Sequence, residues 1–302
     1  MIIRSWVFGF GDANFEVHQL FCKRCKDQKT KPKDRIGDLF MQTIVTPIPV
    51  PRLCVVAAAS IEFKAVTQQL SETVFSIDDD LNTCRGRAGR NQITVLQANI
   101  GAVGFREKLV SYLRKQACDA VIVLGLGGGL SPELKTGETV LYDTCFLFRP
   151  EEDTSEGEAQ TSDFNLSSSL RQRLLNDGCS TVFAAGLTID FMVTTPDEKL
   201  SMGESYGVAV VDMESYDVMA AASQLKIPIV VVRIILDEAK QKTPDFNIGI
   251  SADGKMSDLK SAQAMLMRPL AAMIFLLSLR SSMQALRRVS KMVLAGDWDL
   301  IF

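Results

Sequence analysis

The chain has 302 residues, of which 47% are hydrophobic, so it is long and apolar enough to bury a large core. Its formal net charge of -3 comes from interspersed acidic and basic residues, so no strongly basic field over the whole chain argues for nucleic acid as the main partner. Seven scattered cysteines, an odd number, favour reduced thiols over a disulfide framework, and no secretion signal is recognisable. We expect a cytoplasmic protein whose apolar runs are too short to span a bilayer.

Residues 1–51 differ in composition from the rest of the chain and are predicted to form an N-terminal extension and linker. The extension is charged over residues 23–33 and ends in a segment where every second residue is proline. It contains Cys22 and Cys25 with His18 nearby, but a zinc site needs four ligands and no second pair is present. No metal is therefore predicted.

Residues 52–267 alternate between short apolar strands and amphipathic helices. Strands are predicted at residues 53–59, 93–98, 120–124, 140–148, 182–187, 209–211 and 229–236, and helices at 61–70, at 105–116 and from the sixth strand to 222. This alternation predicts an α/β fold of three layers, in which helices cover both faces of a central mixed, twisted sheet. Ligands in such sheets usually sit beyond the carboxyl ends of the strands.

Residues 268–302 are predicted to form a separate, amphipathic C-terminal tail. An apolar run over residues 270–279 comes first. The helix after it has four basic side chains, namely Arg280, Arg287, Arg288 and Lys291. Such a helix can lie on an anionic membrane surface, which would place the protein peripherally at the inner face of the membrane. It can equally pack on the body of the protein or on a second subunit.

Three carboxylates, Glu62, Glu214 and Asp237, come after predicted strands. Asp237 ends an apolar strand, where burial would raise its pKa and let it carry a proton for a departing purine base, although a helix N-cap explains it equally well. Glu214 could bind both hydroxyls of a ribose while Met213 packs on the sugar. Glu62 could deprotonate water, although it also suits the first turn of a helix. These are the three functions that cleavage of a nucleoside requires.

Glycines over residues 125–129 end a central strand and include Gly127 and Gly128, which would let a ligand approach the backbone closely. A tight turn would need the same glycines. The run lacks the GxGxxG spacing before a helix, which argues against a dinucleotide site. No cofactor is predicted.

Three segments, in the same order along the chain, resemble the superfamily of purine nucleoside phosphorylases and methylthioadenosine/S-adenosylhomocysteine nucleosidases. They are GGLSPELKTG at 128–137, VDMES at 211–215 and the pair Ile227-Pro228 with VRIILD at 232–237. The resemblance implies that Asp237 is the acid at purine N7, that Glu214 binds the ribose hydroxyls and that Glu62 activates water. The implied activity is cleavage of the N-glycosidic bond of an adenine nucleoside, with release of adenine.

The same resemblance implies that Asp190 lies in a loop over the base, with Phe191, Met192 and Val193 forming the wall of the purine pocket. Asn99 stands where many members have glycine, which puts a contact from that loop in doubt. Residues 190–199, with Met267-Arg268-Pro269, further resemble the hopanoid-associated phosphorylases. Those enzymes act on adenosylhopane.

Several alternatives stay open. A methylthioadenosine/S-adenosylhomocysteine nucleosidase or a purine nucleoside phosphorylase would use the same residues, and a nucleoside-binding or storage protein would keep the fold without turnover. Glu62 favours water as the nucleophile, but inorganic phosphate could be a co-substrate if one of four arginines binds it. The four are Arg85, Arg87, Arg90 and Arg106. We expect a homodimer or a higher homo-oligomer.

Overall fold

A computed structural model describes residues 3–10, 13–20, 45–47, 50–98, 104–149, 159–249 and 257–298. The chain forms two compact units, Met1–Val50 and Pro51–Phe302. The first unit contains an antiparallel sheet of three strands in the order β1 (Ile3–Phe10), β2 (Ala13–Leu20) and β3 (Val45–Pro47). Cys22 and Cys25, considered above as metal ligands, lie outside the described residues.

The described residues of the second unit include a mixed sheet of ten strands. They are β4 (Arg52–Ala57), β5 (Ser71–Asp78), β6 (Leu81–Ala88), β7 (Asn91–Gln97), β8 (Ala120–Gly129), β9 (Thr139–Leu147), β10 (Gln160–Thr161), β11 (Thr181–Thr188), β12 (Val210–Asp212) and β13 (Ile229–Asp237). Their order is β10, β9, β11, β12, β8, β4, β7, β6, β5, and β13 pairs with both β8 and β9. Strands β8, β13, β9, β11 and β12 therefore close into a ring. Strands β4, β7, β6 and β5 extend the sheet from β8, and β10 pairs with β9.

Within the described residues, seven helices accompany the sheet. They are α1 (Ser60–Thr67), α2 (Phe105–Lys115), α3 (Phe164–Asn176), α4 (Pro196–Tyr206), α5 (Ser215–Gln224), α6 (Asp258–Met267) and α7 (Pro269–Ala295), with a short 3-10 helix at Phe246–Gly249. Along β4, Cys54 and Val56 pack towards α2 and α5, whereas Leu53 and Val55 pack towards α1, α3 and α7. Because successive strand residues point to opposite faces, a sheet covered on both sides needs nearly continuous apolar strands. The predicted α/β class is confirmed.

All seven strands predicted from the sequence occur, within a few residues of their expected ends. The hairpin of β5 and β6 and the helices α3, α4 and α6 were not predicted. Strand β5 lies at the edge of the sheet, and its apolar side chains Val74, Phe75 and Ile77 are exposed. An edge strand of this kind lacks the buried apolar pattern on which strand prediction depends.

Helix α7 is one continuous helix of 27 residues. It belongs to the same compact unit as the sheet, so the predicted tail is not separate from the body. Over an 18-residue window of α7 the mean hydropathy is 1.3, so the helix is long and apolar enough to cross a membrane. This differs from the expectation that the apolar runs are too short to span a bilayer. Its second half nevertheless buries Met283, Leu286, Val289 and Val293 against the sheet. Because these residues recur every three or four positions, they lie on one face of the helix, and that face belongs to the core.

Candidate active site

A cavity of about 630 Å³ lies at the carboxyl ends of β4, β8 and β13. Among the described residues, four carboxylates line it, from Glu62, Asp212, Glu214 and Asp237. Most of the remaining wall is apolar and comes from Phe191, Met192, Val193, Met213, Leu236, Phe246, Met265, Phe275 and Leu279. The cavity is thus where the sheet topology predicts a ligand, and it combines several ionisable groups with a largely apolar surface.

Glu62 is the third residue of α1 and is only 5% exposed. Its carboxylate accepts hydrogen bonds from the backbone N–H groups of Ala58 (3.1 Å), Ala59 (2.9 Å) and Leu126 (2.7 Å). The first two bonds cap α1, so Glu62 is both a first-turn acid and a cavity residue. Burial raises its pKa, and this outweighs the opposing effects of Arg233 and the three N–H groups. A carboxylate with a raised pKa is a better proton acceptor for water.

The glycines of β8 are required by close packing inside the ring of strands. A β-carbon at Gly125 would meet Nη1 of Arg233 at 2.5 Å, and one at Gly127 would meet Cγ1 of Val210 at 2.8 Å. Side chains at these positions would displace a buried arginine or a neighbouring strand. Gly127 and Gly128 also line the cavity, as predicted, but in an extended strand and not in a turn.

Asp212, the last residue of β12, is surrounded by donors. Its Oδ1 accepts from the Thr188 hydroxyl and from two backbone N–H groups at the start of α5, at 2.8–3.0 Å. Its Oδ2 accepts from the Tyr142 hydroxyl (2.9 Å) and from Nε of Arg233 (3.2 Å). Burial would raise the pKa of Asp212, but Arg233 and these hydrogen bonds together lower it below its ordinary value. Asp212 is therefore held as a carboxylate that anchors α5.

Arg233, in the middle of β13, is 1% exposed and holds Glu214 in place. Its guanidinium contacts Oε2 of Glu214 at 3.2 Å and Oγ of Ser215 at 2.9 Å. Burial would lower the pKa of Arg233, but Asp212 and Glu214 raise it above its ordinary value. This fixed cation keeps the Glu214 carboxylate at the cavity, next to Met213. Arg233 was not among the residues predicted from the sequence, although a single charge within an apolar strand is a signal of such a network.

Asp237, the last residue of β13, is 6% exposed. The ammonium of Lys199, on α4, donates a hydrogen bond to its Oδ2. Burial raises the pKa of Asp237, and this outweighs the lowering by Lys199. A carboxyl group with a raised pKa keeps its proton to higher pH, which a general acid requires. In the sequence, Lys199 was noted only as the last residue of the segment 190–199.

Phe191, Met192 and Val193 lie in the cavity wall, as the resemblance implied, but the structure gives Asp190 no place there. Strand β11 ends at Thr188, and the next side chain is buried whereas that of Asp190 is exposed. The chain turns back towards the cavity only at Phe191. Asp190 therefore does not line the cavity, which differs from the place that the resemblance implied.

Several cavity residues were missed because they come from segments without a recognisable motif. The main ones are Gln97, Thr243, Phe246 and Phe275. The hydroxyl of Thr243 is buried and has no hydrogen-bond partner within the part of the chain that the structure describes. A buried polar group in a cavity wall can be satisfied by a bound ligand. Asn99, which departs from the family pattern, lies outside the described residues.

No lysine or arginine is found among the described residues that line the cavity. Of the four arginines considered for phosphate, Arg85 pairs with Asp78 at 2.8 Å and Arg106 pairs with Asp217 at 2.6 Å. Neither Arg87 nor Arg90 belongs to the lining. The described ranges also contain no cluster of three or more side chains suited to holding a metal ion.

Comparisons with known proteins identify relatives of this chain and structures with the same fold. The 5'-methylthioadenosine/S-adenosylhomocysteine nucleosidase of Tolumonas auensis is 26% identical over 172 residues, covering 53% of this chain and 74% of that protein. The structure of futalosine hydrolase from Helicobacter pylori superposes with a TM-score of 0.62 at 14% identity, covering 81% of this chain and 97% of that one.

A second similar structure is the 5'-methylthioadenosine/S-adenosylhomocysteine nucleosidase of Neisseria meningitidis in complex with methylthio-immucillin-A. Its TM-score is 0.61 at 16% identity, with coverage of 80% of this chain and 99% of that one. At these identities the two structures show a shared fold. The family model described as the phosphorylase superfamily matches residues 52–268. This match confirms the superfamily and the enzyme class predicted from the sequence, and the chain belongs to the phosphorylase superfamily.

Proposed function

We propose that this protein hydrolyses the N-glycosidic bond of an adenine nucleoside and releases adenine. One observation carries the proposal: two buried carboxyl groups with raised pKa values, those of Glu62 and Asp237, line the same cavity. Base cleavage by water needs one group to accept a proton and another to donate one. The names of the relatives, a nucleosidase and a hydrolase, support this reaction class.

In the proposed mechanism Asp237 donates its proton to N7 of the purine. The base then leaves with the electron pair of the glycosidic bond, and positive charge develops on the ribose. Glu214 accepts hydrogen bonds from the ribose hydroxyls, and Met213 contacts the sugar. Glu62 takes a proton from a water molecule as the oxygen of that water bonds to the anomeric carbon. Interactions that strengthen as charge develops accelerate the reaction most, so Glu214 is expected to act in the transition state.

The nucleophile is proposed to be water and not phosphate, with no bound cofactor. The absence of lysine and arginine from the described cavity lining supports this choice. The test is to incubate the protein with adenosine-type nucleosides with and without phosphate and to identify the sugar product. We expect free ribose in both cases. Ribose 1-phosphate formed only with phosphate would show instead that the protein is a phosphorylase.

Glu62→Gln is the matched variant for this experiment. The amide cannot accept a proton from water but has nearly the same size, and it can still accept backbone hydrogen bonds through its oxygen. We expect a loss of about 10²–10⁴-fold in adenine release with nucleoside binding retained. An unchanged rate would contradict the role given to Glu62.

We further propose that the 5' substituent of the nucleoside is large and apolar, as in adenosylhopane. The apolar side of the cavity supports this, because the side chains of Phe246, Met265, Phe275 and Leu279 would contact such a substituent. Comparing kcat/KM for adenosylhopane and for methylthioadenosine tests the proposal. A clear preference for methylthioadenosine would make the protein a nucleosidase for small soluble substrates.

Contact with a membrane is proposed for the outer surface of α6 and α7. Apolar side chains on this surface are 47–82% exposed, namely Leu266, Met267, Leu270, Met273, Ile274, Leu276 and Leu277. Farther along α7, Arg280, Arg287 and Lys291 are exposed as well. Residues 259–296 contain six basic residues and no acidic ones. An apolar patch beside basic side chains suits an anionic bilayer, where each basic group contributes about 1 kcal/mol.

A second copy of the chain fits this surface less well. A two-fold interface places the same patch on both subunits, so the basic side chains would face one another. The homo-oligomer expected from the sequence is therefore proposed to use another surface, and light scattering after size exclusion measures its size.

Co-sedimentation with vesicles tests the membrane proposal. We expect binding to vesicles with phosphatidylglycerol, weaker binding to pure phosphatidylcholine, and loss of binding in the double variant Leu270→Glu, Ile274→Glu. Phe164→Glu is the control, because Phe164 is 77% exposed but lies on α3. Equal binding by both variants, or none by the wild type at low salt, would contradict the proposal.

A nucleoside-binding protein without turnover is the alternative of a different class. It would bind adenine nucleosides in the same cavity. Calorimetric binding without any release of adenine from the substrates above would support it.

A further inference from the structure

Lys199 is a buried lysine whose three N–H groups all have acceptors. It is fully buried within α4, and it contacts Oδ2 of Asp237 and the carbonyl oxygens of Glu238 (3.3 Å) and Gln241 (2.9 Å). A lysine ammonium has three hydrogens to donate, so this arrangement suits the charged form. Lys199 is not part of the cavity lining, and among its contacts within the described residues Asp237 is the one that lines the cavity.

The contact with Lys199 occupies one oxygen of the Asp237 carboxyl. Within the described part of the chain, the other oxygen, Oδ1, has no hydrogen-bond partner. It lies 3.7 Å from where a β-carbon on Gly128 would stand, and Gly128 lines the cavity. The carboxyl group is thus anchored on one side and open towards the ligand on the other.

We infer that Lys199 is the positioning residue of the general acid: it orients the Asp237 carboxyl and stabilises the carboxylate that remains after proton donation. This inference rests on the proposed function. As the proton moves from Asp237 to the purine nitrogen, the glycosidic electron pair moves to the base and Asp237 becomes negative. The ammonium of Lys199 is then its counter-ion. Without it, a buried carboxyl would be a weaker acid, because no nearby charge would stabilise its ionised form.

Other charged groups around the cavity are engaged elsewhere. Glu62 on α1 accepts three backbone hydrogen bonds, and Arg233 on β13 is paired with the carboxylates of Asp212 and Glu214. Glu238, next to Asp237, directs its carboxylate to Lys135 at 3.4 Å. Among the described residues, Lys199 is thus the cation in contact with Asp237.

The test is the pH dependence of adenine release by Lys199→Met and Lys199→Arg. Methionine has a similar length without charge. We expect kcat to fall on the order of ten- to a hundredfold, part of what general-acid catalysis typically contributes. Because the positive charge lowers the pKa of Asp237, its removal moves the alkaline limb of the kcat profile to higher pH. Arginine keeps the charge and should restore the position of that limb.

Thr195→Ala is the control for a purely structural effect. The Thr195 side chain caps α4 by accepting from the backbone of Glu198, and Thr195 lies outside the cavity lining. It should weaken the same helix and leave the alkaline limb in place. If Lys199→Met also leaves the limb in place, the inference is overturned and Lys199 is structural.

A second measurement separates this inference from the proposed function. If the wild type cleaves no adenine nucleoside, the proposed function fails. The carboxyl carbon of Asp237 can still be titrated by NMR in the wild type and in Lys199→Gln, which also serves if the methionine variant does not fold. A higher pKa in the variant supports the inference, and an equal pKa overturns it.

Discussion

Asp212 and Asp237 each end a strand at the same cavity, each is buried and each contacts a buried cation. The pKa of Asp212 is nevertheless lowered, whereas that of Asp237 is raised. Asp212 accepts five hydrogen bonds, from two hydroxyls, two backbone N–H groups and Arg233. Among the described residues, Asp237 accepts a hydrogen bond from Lys199 alone.

The two aspartates share residue type and depth but differ in their surroundings: Asp212 has the charge of Arg233 and four further hydrogen-bond donors, whereas Asp237 has the charge and hydrogen bond of Lys199. Burial disfavours the charged form of both, but five donors reverse that effect for Asp212 and a single lysine does not for Asp237. A fully hydrogen-bonded carboxylate anchors the structure, whereas a carboxyl group that retains its proton is available for chemistry. The comparison can be tested by removing each aspartate, by titrating the enzyme and by removing one donor.

The largest effect is expected from Asp237→Asn. The amide can hydrogen-bond to the purine but cannot transfer a proton to it, so adenine release should fall about 10²–10⁴-fold. Nucleoside binding should persist, because the cavity keeps its shape. Release of adenine measured by absorbance, with binding measured by calorimetry, checks both parts. Turnover close to that of the wild type would show that Asp237 is not the acid.

Asp212→Asn is expected to act on stability. The substitution leaves Arg233 buried with one counter-ion fewer, and breaking a buried pair typically costs about 3–5 kcal/mol. Urea unfolding should show this loss, and Asp237→Asn should show a smaller one because its neutral amide resembles a protonated carboxyl. If Asp237→Asn were the more destabilising of the two, the division into anchor and acid would be wrong.

The pH profile of kcat/KM is expected to have two limbs. Glu62 must be ionised to accept a proton, so activity is lost as the pH falls through its pKa. Asp237 must be protonated, so activity is lost as the pH rises through its pKa. Both pKa values are raised, which places both limbs above the ordinary carboxyl values of about 4.3 and 3.9.

The variant Glu62→Gln should remove the acidic limb from whatever activity it retains. Rates beyond each limb should change about tenfold per pH unit. An alkaline limb at or below pH 4 would indicate that Asp237 is ionised in the working enzyme.

The smallest effect is expected from Tyr142→Phe, which removes one of the five donors to Asp212. The Tyr142 hydroxyl is buried and keeps its proton, because burial and the neighbouring carboxylate raise its pKa. A hydrogen bond to a charged group contributes about 1.5–3 kcal/mol, and urea unfolding should show a loss in this range. The pH limbs of the enzyme should not move. A shifted limb would mean that the Asp212 network also controls the chemistry.

Much of the site could be predicted because its carboxylates occupy local positions that the sequence reveals. Glu62 and Asp237 come after β4 and β13, which both run parallel to β8, and parallel neighbours bring such positions to one edge. Glu214 comes after β12, which pairs antiparallel with the end of β8. The partners of these residues could not be predicted. Lys199 lies in a helix about forty residues before Asp237, and only the packing of α4 brings its ammonium to that strand end.

Residues 269–295 illustrate the same limit in the fold. Their composition indicated an amphipathic helix with basic residues, and the helix is present. Composition alone does not determine which partner buries the apolar face, and in the structure Leu286 and Val293 lie against the sheet whereas Leu270 and Leu277 are exposed. The predicted separation of tail and body failed for this reason.

The sequence by itself determined the α/β class, the superfamily and the carboxylates at the cavity, because strand periodicity and short motifs are local properties of the chain. Only the tertiary structure decided the protonation tendencies of those carboxylates, the exclusion of Asp190 and the attachment of α7. A pKa depends on which donors and charges surround a buried group, and burial depends on which distant segments pack together. Neither property is contained in any single stretch of residues.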